Sequence, residues 1–370
     1  MKKVIPEGYW RNGVGEGDVN SNWGKVTVKL QRLKSKTGKQ QQIYLDASLD
    51  ESGWSPEALE RITDLAARMP YEEASLVASK FGLELSRSLV NRLSDTYAAR
   101  VQQELSDQLK ACAHDADENA ASLAQSHASR LMILQVDGVC VLGQAHEGHC
   151  PGMEIKSAVL YPQNSPRERW LLADRCSAED FLPLLAGLVQ EAKLSPKDEL
   201  IGLGDGAPWV ENIFDHLCSL RITDVYHAVE YLDTIMLAMG WQESTRAYHR
   251  KQWFQGKVNA RDWLQEHLPE PEIWLNWSEQ ADTARCYLEA RLDAMDYLDF
   301  SKQGYPIGSG QVEAMNKNVI GTRMKRSGMH WSEQGARAMA SLRAQVCAKH
   351  PLIDFHSLRF KAFSLPNFSP

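Results

Sequence analysis

The chain lacks the features that would place it in a membrane or outside the cell. No apolar run approaches the roughly 20 residues that a membrane-spanning helix needs. Residues Met1 to Lys3 are followed by VIPEGYW, which supplies no apolar segment of a signal peptide. The sequence therefore predicts a cytoplasmic protein with no membrane association.

Cysteine is scarce and shows no pairing pattern. The seven cysteines are odd in number, scattered and without a CxxC pair, which favours reduced thiols over a disulfide framework. Cys112 and His114 lie close together, but no second pair of ligands accompanies them, so we do not expect a zinc site. Residues 1–55 contain no cysteine at all.

Positive charge is also in short supply, because the formal net charge is −7. Phosphate contact depends on local patches, however, and two segments are locally basic. Residues 24–42 hold six basic residues and no acid, and residues 314–349 hold seven basic residues and one acid. The alternative for either segment is a solvated surface. Our candidate phosphate contacts are Lys34, Lys36, Lys39, Lys317, Arg323, Lys325 and Arg326.

Three acidic residues stand in distinctive settings: Asp137 in LMILQVDGVCV, Asp205 in ELIGLGDGAPW and Glu313 in YPIGSGQVEAMNK. Each aspartate ends an apolar run that predicts a buried strand, and Glu313 begins a segment with helical spacing. Three carboxylates that converge on folding can bind two magnesium ions, or manganese in their place, for in-line phosphoryl transfer. The alternative for either aspartate is a turn residue, the commoner role of an Asp before Gly.

The strings around these acids resemble the DDE transposases of bacterial insertion sequences, in the IS-Kra type related to Mutator-like transposases. The matching strings are VDG at 136–138, GDGAPWVEN at 204–212, DVYHAVEYL at 224–232 and the segment from IGSGQVEAMNK to ASLRA at 307–344. The resemblance implies a magnesium-dependent RNase H-like core with an all-helical insertion. It also implies that Asp137, Asp205 and Glu313 are the catalytic metal ligands.

The resemblance extends to two accessory residues and to partners. Asp224 and His227 match the (C/D)xxH signature of this superfamily, which implies a position near the active site. The alternative for His227 is a packed, hydrogen-bonded histidine. Double-stranded DNA at the element ends and at the target is the implied partner, bound by a homodimer or higher oligomer in the bacterial nucleoid.

Local signals give an α/β order for the central part of the chain. We expect strands at 131–136, 138–144, 153–161 and 169–175, a helix at 178–192, a strand at 199–204, a helix at 208–218 and a strand at 221–225. This order is RNase H-like. The tryptophan-rich helical patterns that follow favour the core of a helical subdomain over a base-stacking surface.

A helix-turn-helix is the expected fold before the core. Two helical patterns, 71–82 and 83–110, join at Phe81-Gly82-Leu83, with Ser86 as a plausible N-cap. In that case Arg87, Ser88, Asn91 and Arg92 would face the major groove. The alternative is a three-helix packing unit without DNA contact.

The predicted organisation has six parts. They are a basic N-terminal segment (1–55), a helix-turn-helix-like domain (56–112), a first core part (125–227), an all-helical insertion (228–304), a second core part (305–349) and a tail (350–370). We expect a DNA transposase. Two alternatives stay open, a transposase-derived DNA-binding regulator that does not cleave and an RNase H-like nuclease on another substrate.

Overall fold

The computed structural model describes residues 9–22, 24–35, 40–41, 54–114, 129–145, 150–195, 197–268, 278–353 and 355. Its strands are β1 (Tyr9–Ser21), β2 (Gly24–Ser35), β3 (Gln40–Gln41), β4 (Leu131–Leu142), β5 (Gly152–Pro162), β6 (Trp170–Asp174), β7 (Glu199–Gly204) and β8 (Leu220–Thr223). Its helices before the last strand are α1 (Pro56–Arg68), α2 (Tyr71–Ser79), α3 (Arg87–His114), α4 (Ala178–Glu191) and α5 (Pro208–Leu217).

Helices alone follow β8 in the described part of the chain. They are α6 (Val225–Ala238), α7 (Glu243–Phe254), α8 (Ala260–His267), α9 (Glu279–Glu289), α10 (Tyr297–Lys302), α11 (Gly310–Met315), α12 (Thr322–Met324) and α13 (Glu333–Cys347). A 3-10 turn (Leu292–Ala294) precedes α10, and a π segment (Asn316–Gly321) joins α11 to α12. In the part of the chain that the structure describes, no helix is long and apolar enough to cross a membrane.

The central feature is a five-stranded mixed sheet in the order β6-β5-β4-β7-β8. Strands β4, β5 and β6 pair antiparallel, whereas β7 runs parallel to both β4 and β8. Central residues such as Ile133, Val159 and Ile201 are completely buried, as expected for strands covered by helices on their faces. The expected α/β class, a mixed sheet flanked by helices, is confirmed.

Strand β4 corrects one local prediction. We expected two strands separated at Asp137, but β4 continues from Leu131 to Leu142, and Asp137 pairs with Ser157 in the middle of the strand. The parallel pairing with β7 ends at Gln135, two residues earlier. Asp137 therefore lies beyond the end of the parallel neighbour rather than at the end of its own strand.

Helix α13 covers the free edge of the sheet at β6. The Ser341 hydroxyl donates to the Ala173 carbonyl at 2.9 Å, and the Gln345 amide donates to the Leu171 carbonyl at 3.2 Å. These bonds satisfy edge carbonyls that would otherwise be open to another strand. The last helix therefore belongs to the sheet core.

The N-terminal helices pack on this core. The predicted Ser86 cap is confirmed, since Ser86 accepts from the Leu89 amide. Ser55 caps α1 in the same way, by accepting from the Ala58 amide. Seven residues (80–86) join α2 to α3, more than the three or four typical of a helix-turn-helix. A Cβ on Gly187 of α4 would lie 2.0 Å from the Leu109 carbonyl oxygen, so α3 passes very close to α4. The C-terminal half of α3 is thus packed into the core.

The helices from α6 to α10 form what we call the helical segment (the described residues 225–268 and 278–302). Trp253 is completely buried and Trp263 is 5% exposed, and their rings contact edge to face at 5.9 Å. The expectation that these tryptophans form a core is confirmed for these two residues. Trp274 and Trp277 lie outside the described residues.

The N-terminal hairpin was only half predicted. Strands β1 and β2 pair from Tyr9↔Ser35 to Ser21↔Gly24. The alternation of Val26, Val28 and Leu30 predicts a short strand or hairpin within residues 24–45, whereas the residues before them give no such signal. Strand β1 has many Gly and Asn residues and mostly exposed side chains, so it shows no alternation of polar and apolar residues.

Candidate functional site

Two of the predicted ligands, Asp137 and Asp205, lie side by side where strand β7 ends next to β4. We call this end of the sheet the carboxylate edge; it is distinct from the free edge at β6. The β4–β7 register pairs Ile133 with Ile201 and Gln135 with Leu203. Continued two residues further, this register brings Asp137 level with Asp205, the first residue after β7. The two carboxylates are close enough for the charge of Asp205 to raise the pKa of Asp137. The sheet thus brings together two carboxylates that are far apart in the sequence.

The Asp137 carboxylate is half-buried and held by two hydrogen bonds. Its Oδ1 accepts from the Gly138 amide at 2.7 Å, and its Oδ2 accepts from the Asn316 side-chain amide at 2.6 Å. Burial raises the pKa of Asp137 above its usual value, and the neighbouring charge of Asp205 adds to this effect. Charge repulsion between the two aspartates is the condition that a divalent cation relieves.

Asp205 begins a tight turn at the end of β7. Its Oδ1 accepts from the Ala207 amide at 2.9 Å, and Gly206 adopts a positive φ of 77° that suits glycine. On the opposite face of the sheet, the buried Lys156 ammonium lies 4.2 Å from the centre of the Trp209 ring. A hydrogen bond within the turn and the contact of the Trp209 ring with Lys156 thus hold the GDGAPW motif in place.

Asp224 is a completely buried residue that connects three elements. Its Oδ1 accepts from the His227 amide at 2.9 Å and caps α6. Its Oδ2 accepts from the Ser309 amide at 2.6 Å and so holds the Gly-Ser-Gly turn. The side chain of His227 is 43% exposed, and it lies close enough to Asp137 to oppose, in a small part, the effect of burial on the pKa of that carboxyl. Asp224 is thus a support, and His227 has access to solvent.

Glu313 lies in α11, which the sheet holds by its first turn. The Gln135 side-chain oxygen, inside the sheet, accepts from the Gln311 and Val312 amides at 3.1 and 3.0 Å. The exposed Glu313 carboxylate accepts from the Ser309 hydroxyl at 3.0 Å. Asn316, which bonds to Asp137, lies three residues later, where helix neighbours have Cβ atoms about 5–6 Å apart.

The donor set fits magnesium by its chemistry, since Asp137, Asp205 and Glu313 offer only carboxylate oxygens. The arrangement is incomplete, because no group of three or more His, Cys, Asp or Glu among the described residues is placed to hold a metal ion. Asp137 and Asp205 are adjacent, whereas Glu313 is turned toward Ser309. Convergence of all three carboxylates therefore stays a prediction.

One predicted DNA contact is wrong. Arg323 is 1% exposed; its guanidinium donates to the Ala66 carbonyl at 2.7 Å and lies over the Tyr71 and Trp331 rings. Burial lowers its pKa. A side chain enclosed in this way cannot reach a phosphate.

The basic run 314–349 is mostly occupied inside the protein. Arg343 is buried and donates to the Ala67 and Asn318 carbonyls, Arg337 pairs with Asp174, and Lys349 pairs with Glu168. Lys317, Lys325 and Arg326 are exposed, although Arg326 lies 3.3 Å from a Glu73 oxygen. Only a small part of this run can therefore meet DNA.

The remaining candidates differ in exposure. Arg87, Ser88 and Arg92 are exposed at the start of α3. The Asn91 amide nitrogen, in its favourable orientation, donates to Asp95 at 2.9 Å. Lys34 is half-buried in β2, and Lys36 and Lys39 lie outside the described residues.

Sequence reasoning missed the residues that hold the site together. Gln135 and Asn316 are uncharged, and nothing in the strings around them singled them out, because their roles depend on contacts with distant parts of the chain. A weak signal existed for Asn316, which follows Glu313 by three residues and so shares its helix face. Tyr287 and Arg291, which reach the Asp205 turn from the helical segment, left no local signal.

No protein-family model matches the chain, and no curated protein matches it. The features of this chain that bear on its function are therefore the geometry of the carboxylate edge and the motif strings around it.

Proposed function

We propose that this chain is a metal-dependent DNA transposase with an RNase H-like core, of the IS-Kra type that its motifs resemble. The observation that carries the proposal is the juxtaposition of Asp137 and Asp205 on adjacent parallel strands. Asn316, just after the Glu313 helix, donates a hydrogen bond to the Asp137 carboxylate. Few structural roles require two half-buried aspartates side by side at the open edge of a sheet.

The order of elements supports the same proposal. Three antiparallel strands are followed by α4, β7, α5 and β8, and the Glu313 helix returns to the sheet after the helical segment. In an RNase H-like reading, the helical segment is the all-helical insertion. Double-stranded DNA is the proposed partner, bound by a homodimer or higher oligomer in the bacterial nucleoid.

The roles of the side chains follow from their positions. Asp137, Asp205 and Glu313 would hold two Mg²⁺ ions, which when bound activate the attacking oxygen and stabilise the leaving oxygen. Asn316 orients the Asp137 carboxylate through its short hydrogen bond. Asp224 fixes the Ser309 turn that carries Glu313. His227, whose side chain is 43% exposed, would help to position the scissile phosphate, as the resemblance implies.

A second candidate function is DNA binding without cleavage by a transposase-derived regulator. It is favoured by the hydrogen bonds that already engage Asp137 Oδ2 and Glu313 Oε1, since three assembled ligands are not seen among the described residues. An RNase H-like nuclease on another substrate would use the same residues and differ only in its partner.

The deciding experiment is Asp205→Asn, assayed on a labelled duplex that carries the ends of the DNA element encoding the chain. Asparagine keeps the shape and one oxygen but loses the charge that holds a divalent ion. Magnesium-dependent cleavage should fall by more than about a hundredfold, while binding in a gel shift stays close to wild type. The matched control is Asp215→Asn, whose carboxylate is 59% exposed in α5 and pairs with Arg221.

The outcomes separate the candidates. Cleavage by Asp205→Asn at the wild-type rate would remove this residue from the site. Binding without cleavage by the wild-type protein, in Mg²⁺ and in Mn²⁺, would support the regulator. Cleavage of RNA–DNA hybrids but not of the duplex would support the nuclease.

A further inference from the structure

The helical segment reaches back to the carboxylate edge at two adjacent strand ends. The Tyr287 hydroxyl donates to the Asp205 carbonyl at 2.5 Å, and the Tyr297 hydroxyl donates to the Thr223 carbonyl at 3.0 Å. The first carbonyl is that of Asp205 itself, directly after β7. The second belongs to the last residue of β8, directly before Asp224. The same kind of contact thus holds both strand ends.

Arg291 strengthens the contact at Asp205. Its Nε and Nη2 donate to the Gly206 carbonyl at 3.1 and 2.7 Å, and Nη2 lies 3.2 Å from the Glu211 carboxylate. Both charged side chains are largely buried, at 11% and 21% exposure. The guanidinium therefore ties the Asp205–Gly206 turn to α5.

The turn needs these partners for a physical reason. The β7–β8 pairing ends at Gly204↔Thr223, so the carbonyls of Asp205 and Gly206 lie beyond the sheet ladder. A buried carbonyl without a partner costs free energy, and here side chains of the helical segment supply the donors. The fit is close, because a Cβ on Gly206 would lie 2.6 Å from Arg291 Nε and 2.8 Å from Tyr287 Oη.

The donors are themselves held in place. The Tyr287 ring stacks on Tyr231 of α6 with ring centres 3.8 Å apart, and the Arg291 guanidinium lies 4.1 Å from the centre of the Tyr287 ring. Arg291 also donates to the Tyr287 carbonyl at 3.0 Å. Two helices and a buried cation thus fix the direction of one hydroxyl.

We propose that Tyr287 and Arg291 are positioning residues that hold the Asp205 backbone where its carboxylate meets Asp137. The inference rests on the proposed function for its effect on catalysis. It assigns to the helical segment a direct part in the geometry of the site. A displacement of about 1 Å at a reacting group can cost about a hundredfold in rate, so a backbone clamp at this position matters for turnover.

The test compares Tyr287→Phe and Arg291→Lys with Tyr231→Phe. The last is a matched control, because it keeps the stacked pair and removes a hydroxyl that has no hydrogen-bond partner in the described residues. Backbone hydrogen exchange over residues 205–212 should rise by about tenfold in the two clamp variants. Their kcat for cleavage should fall by about ten- to a hundredfold with KM and DNA affinity unchanged, and the control should match wild type.

Each result decides something. Unchanged exchange in both clamp variants would overturn the inference, and so would raised exchange with wild-type kcat. If Tyr287→Phe fails to fold, Arg291→Lys, which keeps the charge and the ring contact, gives the answer. A wild-type protein that does not cleave overturns the proposed function instead, and the exchange data then decide whether the two side chains hold the turn.

Discussion

At the residue scale, the contrast between Arg323 and Lys325 shows what a local pattern leaves out. Both belong to one basic run, yet Arg323 is 1% exposed and bonded to a helix carbonyl, whereas Lys325 is exposed. Position on the helix determines this difference, since residues two apart point in different directions. Charge in a sequence predicts a surface patch only after burial is known.

Asp137 offers a residue-scale prediction about pH. Its pKa is raised in the folded protein, chiefly by burial, above its ordinary value of 3.8. The folded state therefore holds this proton more tightly than the unfolded chain, and the free energy of unfolding falls as pH rises from the ordinary pKa through the raised one. Asn does not titrate. The Asp137→Asn variant should therefore become more stable relative to the wild type as pH rises from the ordinary pKa to the raised one.

The measurement is urea unfolding of both proteins in a chelator, at about pH 4 and about pH 7. The difference in unfolding free energy should favour the variant more at the higher pH. Added Mg²⁺ should then stabilise the wild type more than the variant, because only the wild type has a charged carboxylate at position 137. A difference that stays constant with pH would show that burial of the charge has no effect on stability.

At the element scale, the sequence predicted the elements that have local signals. A serine directly before a helical pattern is such a signal: Ser177 accepts from the Asp180 amide at the start of α4, and Ser332 caps α13 by accepting from the Gly335 amide. The continuity of β4 through Asp137 was not predictable, because it depends on pairing with β5. The π segment after α11 had no recognisable signal either.

The residues of the candidate site also divide into those with a local sequence signal and those without one. The motif strings named Asp137, Asp205, Asp224 and His227, and the structure places them along one edge of the sheet. Contacts between distant segments supplied Gln135, Asn316 and Tyr287, which a single sequence cannot reveal. Polar residues that satisfy buried groups have no fixed spacing, so only the folded chain identifies them.

The π segment supports a prediction at this scale. Asn316 is 8% exposed and links the Asp137 carboxylate to the Ser157 hydroxyl, both at 2.6 Å. Asn316→Ala should reduce the unfolding free energy by about 2 kcal/mol, because a half-buried carboxylate and a buried hydroxyl both lose a partner. The measurement is chemical denaturation in the absence of metal.

Asn318 provides the control, since it is an exposed asparagine in the same π segment. Asn318→Ala should change the unfolding free energy by less than about 0.5 kcal/mol. Equal losses in the two variants would mean that the segment is sensitive to helix propensity alone, and that the Asn316 hydrogen bonds contribute little.

At the scale of the whole molecule, the basic residues are divided between the interior of the fold and its surface. The net charge is −7, and much of the C-terminal basic run is used inside the fold, by Arg323, Arg337 and Arg343. On the proposed function, the phosphate contacts from this run would come from the cations that stay exposed, Lys317, Lys325 and Arg326. A low count of phosphate contacts is a measurable property, because each contact releases counterions from the DNA.

Lys317 and Lys325 are exposed on the helical stretch that follows Glu313, which makes them the best placed cations of that run. Changing both to Gln should reduce the slope of log K against log salt by about two units, with about equal loss on cognate and random duplexes. The matched control changes two exposed lysines outside the candidate contacts, Lys110 and Lys302, to Gln, which alters net charge equally. If both double variants shift the slope by the same amount, binding follows overall charge, and the Glu313 helix does not lie against the DNA backbone.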